Sequence, residues 1–215
     1  MIEGIVRCSY LRAVRRCGES LRLLILMVVL VSLSTRAGGA EDIDIEVKVN
    51  MDGEVVRVES SYLVAASPQE VWSVMIDFEH MPRFISNLRS SAVVATNGDK
   101  VTIAQSGEAS LGIFKFAFES VRELRLTPFT RIESRMIRGN NLSRYQGTTD
   151  LVAEGLATRV MVRSEAVPDK WVPPLIGPRL IAQEAREQLT EFRAEILRRK
   201  AASGLAERAD PGRAP

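Results

Sequence analysis

Val64–Ile85 reads VAASPQEVWSVMIDFEHMPRFI and packs a strand end, a helix start and a helix–helix corner into one short stretch. Ser67 can accept a hydrogen bond at an N-cap, Pro68 suits the first helical position, and Glu70 follows Ser67 by three residues, so S-P-Q-E predicts a capping box. Val71, Trp72, Val74, Met75 and Phe78 recur at helical spacing and predict a broad apolar face. Pro82 predicts a restart, with Phe84 and Ile85 supplying the apolar face of a second short helix.

On either side the pattern has the period of strands. Ile43 to Asn50 alternates strictly, Asp52-Gly53 is a hairpin signal, and Val55 to Val64 resumes the alternation. Beyond the helices, strand-like runs cover Ser90–Ala95, Val101–Glu108, Ile113–Leu124, Arg131–Arg138, Ser143–Val152 and Ala157–Val167. Turn signals such as Asn97-Gly98-Asp99, Gly139-Asn140-Asn141 and Glu154-Gly155 separate most of them, and short connections favour an antiparallel meander. From Pro178 onward, Ile181, Ala185, Leu189, Phe192 and Ile196 form a single stripe on a long helix able to cover one face of a curved sheet. The expected fold is α+β: two short helices, a curved antiparallel sheet and a long C-terminal helix over its concave, apolar face.

The N-terminus is read separately. Five arginines from Arg7 to Arg22 precede the uncharged run Leu23–Leu33, LLILMVVLVSL, and Ala37-Gly38-Gly39-Ala40 follows. This pattern predicts a signal peptide over residues 1–40, cut before Glu41, and an exported, periplasmic or secreted protein; retention of the segment as an N-terminal anchor is the alternative. The domain then occupies residues 41–202, and residues 203–215, SGLAERADPGRAP, are expected to form a flexible tail. Cys8 and Cys17 both fall in the segment expected to be removed, so neither a disulfide nor a thiolate nucleophile is expected in the remainder. Residues 41–215 hold 23 Lys and Arg against 25 Asp and Glu, with no sustained basic stripe, which argues against nucleic acid as a partner.

Three segments, ASPQEVWSVMIDFEHMPRFI (66–85), RGNNLSRYQGTTDLVAEGLATRVMVRSEAVP (138–168) and WVPPLIGPRLIAQEAREQLTEFRAEI (171–196), together with the strand order, resemble the START-like, or SRPBCC, superfamily. Within it the chain is similar to the polyketide cyclase/dehydrase and coenzyme Q-binding group. The resemblance implies a helix-grip fold with an apolar tunnel between sheet and final helix. It does not imply one activity, because the fold hosts carriers and enzymes alike. Thr149 stands where such relatives often carry an aromatic, so no ligand contact is assigned to it.

Against this expectation, Phe114, Phe116 and Phe118 share one face of one strand and read either as a tunnel wall or as plain core. Trp72, Phe78, Met136 and Tyr145 carry the same two readings; a phenol among apolar groups also needs a hydrogen-bond partner, which a ligand can supply. Trp171, Leu175 and Ile176, in a proline-rich approach to the last helix, read as a lid or transient membrane contact, or as packing beside prolines that aim the helix. Ile181 and Ala185 complete the expected lining from the helix stripe. His80 is the only histidine and no ligand motif accompanies it, so neither a metal nor another cofactor is expected. The functional expectation is a protein that binds a hydrophobic small molecule, a lipid or isoprenoid quinone, without turnover. A cyclase/dehydratase-type enzyme and an interaction module with a self-filled cavity are the alternatives.

Overall fold

The computed structural model describes residues 45–111, 114–170, 172 and 174–209, with side chains described for the same residues except 109–111, 114 and 206–209. The proposed signal segment therefore lies outside the described residues, as does Trp171. The strands are β1 (Glu46–Asp52), β2 (Val55–Val64), β3 (Leu88–Asn97), β4 (Lys100–Leu111), β5 (Phe114–Thr127), β6 (Arg131–Gly139), β7 (Leu142–Glu154) and β8 (Ala157–Pro168). The helices are α1 (Pro68–Met75), a 3-10 helix (Phe78–Arg83) and the long α2 (Gly177–Ala209). The eight strands form one sheet in the order β1-β2-β8-β7-β6-β5-β4-β3, antiparallel throughout. This is the helix-grip, START-like fold, and it closes its own core within the unit Ile43–Pro215.

The capping box forms as the residue types require: the Glu70 amide donates to Ser67 Oγ at 3.3 Å, and the Ser67 amide donates to Glu70 Oε2 at 2.6 Å. The corner itself differs from the expectation. α1 ends at Met75, Phe78 opens the 3-10 helix, and Pro82 lies inside that helix with Phe84 and Ile85 just beyond it. The break falls at Ile76–Asp77 because the Phe78 and His80 amides bond to Ile76 and Asp77, so the tight turn begins before the proline. Gly53, Gly98 and Gly155 all take φ near +60° at hairpin turns, a conformation closed to most side chains.

Helix α2 spans the sheet between its two edges and is latched on both. Arg186, Arg193 and Lys200, spaced by seven residues, donate to the backbone carbonyls of Ile45 (3.4 Å), Leu63 (3.2 Å) and Ala65 (2.6 Å) on the β1/β2 side. Glu184 and Glu191, also seven apart, accept from Asn87 Nδ2 (2.8 Å) and the Ser86 amide (3.1 Å) beside β3. Seven residues are two helical turns, so each set lies along one flank of the helix. α2 continues to Ala209, past Ser203 where the tail was expected to begin, and the Ser203 hydroxyl donates to the Arg199 carbonyl one turn back at 3.1 Å.

The core is concentrated at one end of the sheet. Val64, Val71, Val74, Val160 and Ile196 are essentially inaccessible there, joining β2, α1, β8 and the C-terminal half of α2. Complete burial of a side chain of this kind is worth roughly 1.5–3 kcal/mol. The N-terminal half of α2 does not reach the sheet with comparable bulk, and the space beneath it stays open. Among the described residues no helix is long and apolar enough to cross a membrane.

Candidate functional site

A cavity of 1090 Å³ lies between the concave face of the sheet and the N-terminal half of α2. Its apolar wall includes Phe78, Phe116, Phe118, Met136, Ile181, Leu189 and Phe192. The alternation on β5 sets which rings enter: Phe116 and Phe118 face inward, and the same parity continues through Ser120, Arg122 and Leu124. The backbone of Phe114 opens β5, but its side chain lies outside the described residues.

Across β6, β7 and β8, Ser134, Gly147 and Ser164 sit in register, flanked by Leu124 and Val58 on the outer strands. Gly147 gives the floor a depression in which the Tyr145 side chain lies, since a Cβ there would stand 3.0 Å from Tyr145 Oη. Above this row, the guanidinium of Arg122 stands 5.8 Å from the centroid of the Tyr145 ring, within cation–π range. Gln105, buried on β4, donates to Ser91 Oγ at 3.0 Å and accepts from Arg122 through its side-chain oxygen, which holds the guanidinium in place.

This polar cluster is incompletely satisfied. Arg122 Nε and Ser134 Oγ are buried without a hydrogen-bond partner, and both residues line the cavity. Tyr145 Oη makes no hydrogen bond among the described residues, and Arg122 has no carboxylate partner among them. Buried polar groups are seldom left in this state, because each carries a desolvation penalty of roughly 1–3 kcal/mol. The geometry therefore presents donors, a guanidinium N–H and hydroxyls, toward an otherwise apolar chamber. Such a chamber suits a largely hydrocarbon molecule with one oxygen-bearing group.

Five expected lining residues, Phe78, Phe116, Phe118, Met136 and Tyr145, meet in the cavity wall, joined by Ile181 from α2. Three of the others do not. Trp72 is buried on the far side of the corner, edge-on to Phe129 with ring centroids 6.0 Å apart, because α1 turns that flank toward the β5–β6 turn. Leu175 is 88% exposed and projects away from the chamber, while its neighbour Ile176 reaches the mouth. Ala185 lies on the helix stripe but its single methyl does not reach the wall, where Ile181, Gln188 and Leu189 surround it. Thr149, to which no contact was assigned, does line the cavity. Gln105, Arg122 and Ser134 were not singled out in the sequence, although continuing the period-two count from Phe118 reaches Arg122.

The mouth opens where β6 and β7 part. Their pairing stops at Arg135↔Gln146, after which β6 stays with β5 and β7 stays with β8. Asn140 and Asn141, in the turn from β6 to β7, tie back to β5: Asn140 Oδ1 accepts from the Glu119 amide at 2.7 Å and Asn141 Nδ2 donates to the Ala117 carbonyl at 2.8 Å. Asn141 takes φ 66°, a conformation asparagine tolerates. His80 lies elsewhere, its Nδ1 2.6 Å from Asp77 Oδ1 at the corner, and that carboxylate also binds Arg199 at 2.8 Å.

Residues 55–197 match the model of a family described as polyketide cyclase / dehydrase and lipid transport. No curated protein matches the chain in sequence. Among solved structures, an aromatase/cyclase of Streptomyces sp. R1128 superposes with a TM-score of 0.60 at 14% identity, covering 70% of this chain and 98% of that one. A START superfamily protein of Mycobacterium smegmatis gives 0.58 at 15%, over 66% and 97%. A STAR-related lipid transfer protein of Xanthomonas axonopodis gives 0.56 at 15%, over 74% and 96%. At such identities the likeness is one of fold. The matched span runs from β2 into the buried part of α2, and with this sheet and helix arrangement the chain belongs to the polyketide cyclase/dehydrase and lipid transport family of the START-like, SRPBCC superfamily.

Proposed function

We propose that this chain binds a hydrophobic small molecule, a lipid or isoprenoid quinone, in the chamber under α2 and holds it without turnover. The observation that carries this reading is the pairing of a 1090 Å³ apolar cavity with unsatisfied donors at its floor, Arg122 Nε and Ser134 Oγ. Burial of the hydrocarbon part supplies the affinity, at roughly 25 cal/mol per Å² before ordering costs. Arg122, Ser134 and Tyr145 receive a carbonyl, carboxylate or phenolic oxygen and set the orientation of the molecule. The solved lipid transfer protein of Xanthomonas and the family description are in keeping with this use of the fold.

A second reading rests on the Arg122–Tyr145 contact. A guanidinium beside a phenol can polarise a bound carbonyl and stabilise developing negative charge, as a cyclase/dehydratase-type enzyme requires. The aromatase/cyclase of similar fold keeps that reading in view.

The test is native mass spectrometry of protein purified from its own host, with extraction of bound lipids and titration with a fluorescent fatty acid. One apolar molecule per chain is expected, released unchanged. Ala166→Trp, which adds bulk at a lining position, is expected to abolish uptake in a folded protein. Failure of the wild type to take up any apolar molecule refutes binding, and release of a chemically altered molecule refutes the absence of turnover. Export with removal of residues 1–40 is part of the same proposal; N-terminal sequencing of the exported protein is expected to begin near Glu41, and a start at Met1 overturns it.

A further inference from the structure

The mouth of the chamber carries two features that the binding reading leaves unused. Leu175 and Ile176, on the turn just before α2, are 88% and 55% exposed, adjacent in sequence and at the cavity entrance. Two large aliphatic side chains held in water at the lip of an apolar chamber are costly unless something apolar covers them. Four cations lie at the same end of the fold. Arg138 and Arg144 flank the β6–β7 tip, Lys170 follows β8 with its ammonium 5.7 Å above the Phe116 ring, and Arg179 lies in the first turn of α2.

Arg138, Lys170 and Arg179 make no ion pair among the described residues, whereas the Glu165 carboxylate, on the outer face of the sheet, is held below its usual range by Arg57 with help from nearby Arg144. The carboxylates at the same end include Glu119, behind Asn140, Asp169, whose amide bonds the Asn141 carbonyl, Glu54 in the β1–β2 turn, and Asp52 and Glu165, which both pair with Arg57. At the opposite end the sheet cancels its charge in pairs, as with Arg131 and Asp150, and Arg159 and Glu154. Residues 41–215 as a whole carry a small acidic excess, so the basic rim runs against the composition of the domain.

We infer that this end of the molecule docks on an anionic lipid bilayer, with Leu175 and Ile176 entering the interface and Arg138, Lys170 and Arg179 resting on the phosphates. The inference builds on the reading of the chamber as a site for a lipid-like molecule. Exposed aliphatic side chains with cations on the same end of the fold have the chemistry of an interfacial anchor, and the weakness of one such turn makes the attachment reversible. Docking in this orientation sets the entrance, between Ile176 and the Asn140–Asn141 tip, against the source of the ligand. An apolar molecule then passes from bilayer to chamber without crossing bulk water.

The unit beginning at Ile43, which closes its own core and leaves out the apolar N-terminal run, is sedimented with vesicles of phosphatidylcholine alone or with one third phosphatidylglycerol. Binding to the anionic vesicles and loss of binding at high salt are expected. Arg138→Gln and Arg179→Gln are each expected to weaken it roughly fivefold, and Leu175→Ser roughly tenfold or more. Uptake of the fluorescent fatty acid from solution, measured on the same variants without vesicles, is expected to stay unchanged, since none of these three residues lines the chamber. Wild type that takes up the probe yet ignores anionic vesicles overturns the docking surface, as does Leu175→Ser that binds them undiminished. Vesicle binding without probe uptake overturns the chamber as a ligand site and leaves the docking surface standing.

Discussion

Arg122 Cζ stands 5.8 Å from the centroid of the Tyr145 ring, two strands away, with Arg122 Nε buried and unpaired. A guanidinium held in this way contributes little to stability. Removing it takes away a desolvation penalty and one bond to Gln105, two effects of opposite sign. Arg122→Met is therefore expected to change unfolding free energy by no more than about 1 kcal/mol, while lowering affinity for a ligand with an oxygen head group roughly tenfold or more. Chemical denaturation and titration with a fatty acid and its parent hydrocarbon check both parts; the hydrocarbon is expected to bind equally well to both proteins.

Gly147 makes room for Tyr145. A methyl group there would meet Tyr145 Oη at 3.0 Å, the Arg163 carbonyl at 3.1 Å and Ser164 Cβ at 3.2 Å. The phenol can swing away but the carbonyl cannot, so Gly147→Ala is expected to cost about 1–3 kcal/mol. It also displaces the phenol from its place beside Arg122. Paired measurement on Gly147→Ala and Tyr145→Phe separates the effects: both lose ligand orientation, and only the former loses stability.

Phe129 holds φ 63° in the β5–β6 turn because its ring meets Trp72 edge-on. The left-handed conformation costs a non-glycine residue roughly 1–2 kcal/mol, and an aromatic pair returns about 0.5–1.5 kcal/mol. Phe129→Ala keeps the backbone cost and loses the ring, whereas Phe129→Gly loses both. Thermal unfolding is expected to find the alanine variant less stable than the glycine variant, by about 1 kcal/mol.

At the opposite end from the mouth, Arg198 and Arg199 bind Glu195 at 2.6 and 2.7 Å and hold its carboxyl down to about 2. Burial pushes Asp77 upward, but the bonds from His80 and Arg199 outweigh it and leave that carboxyl below its usual range. Both folded-state values are depressed, so their contribution to stability is fully present above the unfolded carboxylate range near pH 4.5. It is lost as pH falls from there toward 2. Calorimetry is expected to show Tm dropping through that window, and Glu195→Gln is expected to lower Tm at neutral pH while flattening the acid limb.

The order of elements was legible in the sequence because each rested on local chemistry. Ser67 and Glu70 cap α1 through bonds between residues three apart, and the inward parity of Phe116 and Phe118 is a property of a single strand. The stripe on α2 likewise needs only the helical repeat. Local rules stopped at the corner, where a 3-10 turn absorbed Pro82, and at Trp72, whose direction depends on how α1 sits against a turn more than fifty residues away.

Period and composition by themselves determined that this chain makes a curved antiparallel sheet with a long helix across it. Only the tertiary structure decided that the space beneath the helix is a chamber, and which polar groups face it. Gln105, Arg122, Ser134 and Tyr145 come from four different strands and meet through cross-strand register, including a shift in pairing between Val121 and Arg122. A register is set by turns, bulges and the competition of whole strands for partners. No short stretch of sequence holds that information, whereas the capping box and the alternation are complete within a few residues.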